Sequence, residues 1–153
     1  MTVKVNGKKV KSAPKQGYVR IERLWRPGDK ISIVFDMPVR IVYSDPRVKQ
    51  NAGRAALMKG PVVFCLEETD NPAPVENLLL PANSKFRIIR KTGLPGGVDI
   101  IKVKGFRVNS GKQKQLYSDT APKLEECVLT AVPYFAWDNR KAGSMAVWLK
   151  VKS

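Results

Sequence analysis

Short strand-like segments, separated by turn signals, recur along the whole chain, and this pattern constrains the fold most strongly. In one segment Ile31, Ile33 and Phe35 alternate with other residues, and at 62–66 the sequence is a continuous apolar run. Alternation with a period of two is typical of half-buried strands, and a short apolar run is typical of a strand buried on both faces. Many short strands at this spacing predict an all-β fold, either a sandwich or a barrel.

Turn residues divide the chain into individual strands. Asn6-Gly7 predicts a hairpin, because both residues tolerate the positive φ that a type I′ turn demands. Residues 53–59 are ambiguous, since their alanine, leucine and methionine favour helix. Loops are predicted at 68–84 and 110–123, with a hairpin turn at 93–97. Further strands are predicted at 18–25, 31–35, 40–43, 61–66, 85–90, 98–104, 105–109, 125–132 and 145–151.

A boundary between two parts of the chain is predicted at Ser44-Asp45-Pro46-Arg47. The stretch is polar, and Pro46 restricts the residue before it to extended conformations. The expected domains are therefore residues 1–43 and residues 45–153.

The residue composition excludes several kinds of catalytic site. The sequence contains no histidine, which excludes Ser-His-Asp and Cys-His catalysis and the usual histidine ligands of zinc. Cys65 and Cys127 each lie in an apolar stretch and are expected to be reduced and buried, although a disulfide between them stays open. No metal site and no cofactor is predicted.

Carboxylates are the remaining candidates for catalysis, because a glycosidase needs an acid together with a base or nucleophile. Two adjacent pairs occur, Glu67-Glu68 and Glu125-Glu126. Adjacent residues of a strand point to opposite faces, so only one member of each pair could line a common cleft. Solvated charges at the ends of strands are the favoured interpretation, and no catalytic residue is predicted.

The chain carries a net charge of +15, from 28 basic and 13 acidic residues. A basic surface attracts polyanions, of which nucleic acid is the commonest. Most of the excess lies in the first third, where strand-like alternation places it on a solvated face. A polyanion-binding protein is therefore an alternative, with nucleic acid disfavoured for lack of a recognition motif. The sequence has no signal peptide or membrane segment, which leads us to expect a cytoplasmic protein without a membrane partner.

An aromatic segment near the end of the chain is the candidate ligand site. Sugar rings stack their apolar faces on aromatic side chains, while amide, carboxylate and guanidinium groups bind the hydroxyls. Aromatic residues that anchor a loop to the core would give the same pattern. The candidate carbohydrate-contact residues are Tyr134, Phe135, Trp137, Asp138, Asn139 and Arg140.

One stretch carries a specific family resemblance. Residues 51–67 read NAGRAALMKGPVVFCLE. This run resembles the NxGxxAxxRGPLVYCxE segment of the β-L-arabinofuranosidase family, glycoside hydrolase family 127. Other segments resemble the family in the same order, among them Asn6-Gly7, Gly17-Tyr18, Arg23-Leu24-Trp25, Asp70-Asn71-Pro72 and the aromatic segment.

The resemblance implies an architecture and a role. Enzymes of this family have an (α/α)6 barrel followed by two β-sandwich domains, and their catalytic and zinc-binding residues belong to the barrel. None of those motifs occurs here, and the position of Cys65 matches the cysteine of the sandwich segment. The resemblance also implies that residues 53–59 are a strand. It indicates a non-catalytic β-sandwich accessory module that supports a barrel in the same or a neighbouring gene product.

The expected fold is a complete, antiparallel, jelly-roll-like β-sandwich packed on an incomplete N-terminal one. The family strand that precedes Val3-Lys4-Val5 is absent from the sequence, so the N-terminal sandwich is expected to lack its first strand. An unpaired strand edge favours a homodimer through residues 1–43. A free-standing carbohydrate-binding module is a further alternative for the function.

Overall fold

The computed structural model describes residues 1–11, 13–72, 74–94, 96–109 and 116–152. The chain forms two compact units, Met1–Met37 and Pro38–Ser153. Within the described residues, the regular elements are β-strands and four short 3-10 helices, which confirms the all-β prediction. Parts of the predicted turn at 93–97 and of the predicted loop at 110–123 lie outside the described residues.

The N-terminal unit contains a three-stranded antiparallel sheet. Its strands are β1 (Thr2–Val5), β2 (Lys8–Lys9) and β3 (Ile31–Val34), in the order β2-β1-β3. Asn6 and Gly7 have φ values of 49° and 79°, as the predicted type I′ turn requires. The Asn6 side chain also binds the 29–30 turn, because Nδ2 donates to Asp29 Oδ1 at 2.7 Å and Oδ1 accepts from the Lys30 amide at 2.8 Å.

The strand predicted at 18–25 is wrong. One isolated bridge joins Lys15 and Tyr18, and the chain from 19 to 25 is irregular. The alternation of apolar residues there shows only which side chains could face a core. A strand also needs a neighbour to pair its backbone groups. The two edges of β1 are taken by β2 and β3.

The larger unit contains nine strands among its described residues. They are β4 (Val39–Tyr43), β5 (Arg54–Lys59), β6 (Val62–Glu67), β7 (Leu78–Pro81), β8 (Phe86–Lys91), β9 (Val98–Asn109), β10 (Lys123–Pro133), β11 (Met145–Ala146) and β12 (Leu149–Lys152). The 3-10 helices are Lys49–Asn51, Glu68–Asp70, Val75–Asn77 and Tyr134–Ala136.

Six of these strands pair into a closed, barrel-like ring. The order is β6-β10-β9-β7-β12-β5, and β5 pairs with β6 to close it. Strands β4, β11 and β8 add to β5, β6 and β9. The pairings are antiparallel, as predicted, except that β7 and β12 run parallel.

Several element boundaries differ from the predictions. Strand β7 lies inside the predicted loop 68–84, and β9 is one strand where two were predicted. The predicted strand 145–151 is divided into β11 and β12. Residues 54–59 form β5, as the family resemblance implies. The units divide between Met37 and Pro38 and not at 44–47, because β4 pairs with β5 along its whole length.

The core consists of two apolar clusters on opposite faces of the sheet. All six ring strands contribute to the first cluster, with Phe64 and Leu66 from β6 among its members. Cys65, between them, points to the other face and joins the second cluster, which also contains Val132 and Ala136. Strand β6 is therefore buried on both faces. The segment that follows β10 covers the second cluster, and this segment carries the candidate site.

Candidate functional site

The aromatic segment begins where β10 ends. Pro133 precedes the 3-10 turn Tyr134–Ala136, and the Trp137 amide donates to the Tyr134 carbonyl at 3.3 Å. Ala136 is buried in the second apolar cluster, with 4% of its surface exposed. The exposed fractions of Tyr134, Phe135 and Trp137 are 46%, 69% and 37%. Ala136 thus anchors the turn, while the rings of Tyr134, Phe135 and Trp137 face solvent.

Two of the three rings lie in contact with each other. The rings of Tyr134 and Trp137 have centroids 6.3 Å apart and planes inclined by 12°. This near-parallel, offset arrangement is favourable for aromatic pairs. Next to them in the chain, Asn139 Nδ2 donates to the Trp137 backbone carbonyl at 3.1 Å.

Asp138 contributes its backbone to the site's geometry. It adopts a left-handed conformation with φ of 57°, and its amide donates to Glu67 Oε1 at 3.2 Å. The side chains of Asp138 and Asn139 are both exposed. These two side chains are therefore open to solvent in the segment that carries the exposed rings.

Arg140 lies in a cluster of ion pairs. Its guanidinium bonds Glu67 through Nη2 and pairs with Asp70 through Nη1 at 2.5 Å, and Lys91 Nζ reaches the other Asp70 oxygen at 2.9 Å. The side chains of Arg140, Glu67 and Asp70 are 19%, 7% and 13% exposed. We call these four residues (Glu67, Asp70, Lys91 and Arg140) the ion cluster. Its charges cancel, and Arg140 within it is turned away from solvent.

Further hydrogen bonds hold the residues that follow β6, where Asn71 joins the end of β6 to β10 and Glu68 binds the end of the aromatic segment. Asn71 Nδ2 donates to the carbonyls of Glu67 and Thr130 at 2.7 Å and 3.1 Å, and Asn71 Oδ1 accepts from the Thr130 amide at 2.9 Å. Glu68 Oε2 accepts from both the amide and the hydroxyl of Ser144, at 3.0 Å and 2.8 Å. The segment 134–144 is therefore held at both ends.

The ion cluster shifts the pKa values of Asp70 and Arg140. Burial on its own would raise the pKa of Asp70, but hydrogen bonds from Arg140 and Lys91 and their positive charges lower that pKa below its ordinary value. For Arg140 burial opposes the charged form, yet hydrogen bonds to Asp70 and Glu67 raise the pKa of the guanidinium. Both shifts favour the ionised forms of Asp70 and Arg140.

Both thiols are free, as predicted. Cys65 is buried, and burial, together with the nearby Glu67 charge, raises the pKa of its thiol to about 12. Cys127 is half-buried and not fully buried as expected, because it lies near the outer part of β10, where exposed residues flank it. Burial raises the pKa of this thiol as well. Neither cysteine is poised as a nucleophile.

Of the two adjacent glutamate pairs in the sequence, Glu67, Glu68 and Glu125 bind neighbouring groups, and Glu126 is exposed to solvent. Arg107 and Asn109 bind Glu125 at 2.7 Å and 2.5 Å, and these hydrogen bonds lower the pKa of Glu125. Among the described residues, no group of three or more histidine, cysteine or acidic side chains is arranged to hold a metal ion. No helix in the described part of the chain has the length and apolar character of a membrane span.

The ion cluster was not foreseen from the sequence. In the sequence Glu67 is a candidate acid and the last residue of the family-like run 51–67, and Asp70 and Asn71 belong to another family-like segment. Glu67 and Arg140 are separated by 73 positions, so no local pattern links them. An arginine after an aromatic turn is compatible with either ligand contact or an ion pair, and only the fold places it beside two carboxylates.

Two family models match the chain. The "Glycoside hydrolase family 127 C-terminal domain" matches residues 39–150, and the "Beta-L-arabinofuranosidase, GH127 middle domain" matches residues 1–37. A relative, the non-reducing end β-L-arabinofuranosidase of Bifidobacterium longum subsp. longum, is 33% identical over 155 aligned positions, which cover 96% of this chain and 23% of that protein.

Solved structures give the same assignment. A GH127 β-L-arabinofuranosidase from Geobacillus stearothermophilus T6 superposes with a TM-score of 0.89 at 37% identity, covering 99% of this chain and 24% of that one. A second GH127 β-arabinofuranosidase gives 0.87 at 34% identity, with 99% and 23% covered. The chain thus spans about a quarter of the length of these relatives. It belongs to glycoside hydrolase family 127, in which it matches the C-terminal and middle domains.

Proposed function

We propose that this chain is a non-catalytic accessory part of a β-L-arabinofuranosidase-like glycoside hydrolase, which supports a catalytic domain. The observation that carries the proposal is that the matching models are a C-terminal domain and a middle domain, over about a quarter of the relatives' length. At the finer level, we propose that the larger unit is a jelly-roll-like sandwich and that the N-terminal residues form part of a second one.

The ionisation of the carboxylates supports a non-catalytic role. A glycosidase needs one carboxyl group held protonated near neutral pH, so the pKa of that group must be raised. Each resolved carboxyl pKa shift among the described residues is downward; the groups are Asp29, Asp45, Glu68, Asp70 and Glu125. These groups are suited to ion pairs and hydrogen bonds and not to proton donation.

The N-terminal unit offers a surface for the proposed partner. Ile31, Ile33 and Phe35 are 53%, 52% and 59% exposed, and Leu24 nearby in sequence is 89% exposed. Contiguous apolar surface on a soluble protein usually marks a protein contact. We propose that this surface packs against a catalytic (α/α)6 barrel of the same or a neighbouring gene product.

A homodimer is the competing explanation for the exposed apolar residues. In it, residues 1–43 of two copies would pair through an open strand edge. Light scattering over a range of concentrations separates the two ideas. The binding partner in the test is the Geobacillus enzyme from which the part matching this chain has been removed. A monomeric chain that binds this truncated enzyme supports the barrel contact, whereas a dimeric chain that does not bind it refutes that contact. An Ile33→Glu variant should lose either association while keeping the larger unit folded.

Catalysis is tested directly on p-nitrophenyl arabinofuranosides, with zinc and reductant added. The isolated chain is expected to show no turnover above the blank. Activity that survives repurification and disappears in a Glu67→Gln variant would refute the non-catalytic proposal. An Asp45→Asn variant is the matched control, because Asp45 lies in an exposed pair with Arg47.

A further inference from the structure

We propose that Tyr134, Phe135 and Trp137 form a stacking platform for a neutral saccharide. We call these three side chains the aromatic platform. The inference goes beyond the supporting role, and it stands whether or not the chain braces a catalytic domain.

The rings of the aromatic platform are not what holds the segment in place. Ala136 makes the buried contact of the turn, and Glu68 and the ion cluster attach the rest. A loop anchored by its aromatic residues would bury them, as the structural alternative required. Instead three rings within four residues are 37% to 69% exposed. Single exposed rings are ordinary, but such a patch indicates a contact surface.

The charges around the platform favour a neutral ligand. The ion cluster contains two carboxylates and two cations, so its net charge is zero. Outside it, the exposed charged residues of the segment and of its Glu68 partner are two acids, Glu68 and Asp138, and one cation, Lys141. A polyanion would find no excess of positive charge here. A saccharide presents an apolar C–H face to a ring and hydroxyl groups at its rim, where the exposed side chains of Asp138 and Asn139 can bind them.

The platform is held in place before any ligand binds. The Tyr134 and Trp137 rings are already in contact, and the Trp137 carbonyl is bound by Asn139. Arg140 fixes the far end of the segment through Glu67 and Asp70. Preorganisation reduces the ordering cost of binding. Arg140 is thus a positioning residue, although the sequence suggested a direct ligand contact.

Titration calorimetry with a neutral arabinan-type oligosaccharide tests the proposal. The wild-type chain should bind weakly, and its affinity should change little between low and high salt because no counterions are released. Phe135→Ala and Trp137→Ala should each weaken binding by about tenfold or more. Tyr117→Ala is the matched control, since this ring is 89% exposed and lies outside the platform.

Three results would overturn the proposal. They are no binding by folded wild-type chain, equal binding by the Phe135→Ala/Trp137→Ala double variant, and affinity that falls steeply with salt. The first result is also the one expected if the platform contacts a protein partner and not a saccharide, and the proposal is overturned in that case too. Circular dichroism confirms that each variant is folded. None of these results affects the supporting role, which the barrel-binding experiment tests separately.

Discussion

Removal of the Arg140 guanidinium should destabilise the larger unit strongly. In Arg140→Met the side chain keeps much of its length, but Glu67 loses its charged partner while only 7% of its side chain is exposed. Asp70 keeps Lys91 at 2.9 Å, whereas within the described residues the remaining side-chain bond of Glu67 is to the Asp138 amide, at 3.2 Å. The uncompensated charge therefore belongs mainly to Glu67.

The expected cost follows from this geometry. Breaking a buried pair by removing one partner costs about 3–5 kcal/mol, because the other charge stays buried. That is a large part of a typical domain stability of roughly 5–15 kcal/mol. Urea unfolding followed by circular dichroism measures it. The Glu67→Gln/Arg140→Met double variant should be more stable than the sum of the two single changes predicts, since no buried charge is left alone.

Arg47→Met is the control for this experiment. Arg47 pairs with Asp45 at 2.9 Å, but the two side chains are 90% and 49% exposed. An exposed pair is screened by solvent and contributes little to stability, so the control should be near neutral. If Arg140→Met cost no more than Arg47→Met, the ion cluster would be energetically equivalent to a surface pair and the reasoning would be refuted.

Three further predictions concern other parts of the larger unit. The folded-state pKa of Asp70 is lowered, so its ionised form stabilises the fold at neutral pH, and this contribution is lost as the pH falls below about 4. Asp70→Asn should therefore flatten the acid limb of a curve of unfolding free energy against pH, and an unchanged limb would contradict this. Gly105→Ala should cost about 1–3 kcal/mol in urea unfolding, because an added Cβ would lie 2.5 Å from Leu129 Cδ1, whereas Gly93→Ala, with open space around it, should be tolerated. The Cys65 thiol should react with a thiol reagent only after denaturation, and rapid reaction of the folded protein would argue against its burial.

Much of the strand content is predictable from local pattern. The Asn6-Gly7 turn and strands such as β3 and β6 are visible in the sequence, because turn chemistry and alternation are local properties. Strand β7 is not, since Leu78-Leu79-Leu80 is a short run between proline-containing segments. It is a strand only because β9 and β12 supply its backbone partners from distant parts of the chain.

The candidate site shows the same division. The aromatic residues could be identified from composition, and the structure leaves all three rings exposed. The role of Arg140 could not be identified, because its partners lie at the end of β6 and in the following 3-10 turn. The ion pairs of Arg140 depend on the packing of β6 beside β10, which is a long-range feature that no local pattern predicts.

The place of β12 in the ring has a consequence for how the protein folds during its synthesis. This strand is the last of the described strands, and it pairs with β5 on one side and β7 on the other. The pairing of Ala55 with Leu149 therefore forms only after Leu149 has been translated. Until then β5 and β7 expose unpaired edges and part of the first apolar cluster. Such edges are templates for association with other chains. A nascent chain stalled before β12 leaves the ribosome is therefore the state most prone to aggregate, and a chaperone that shields strand edges would act at that stage.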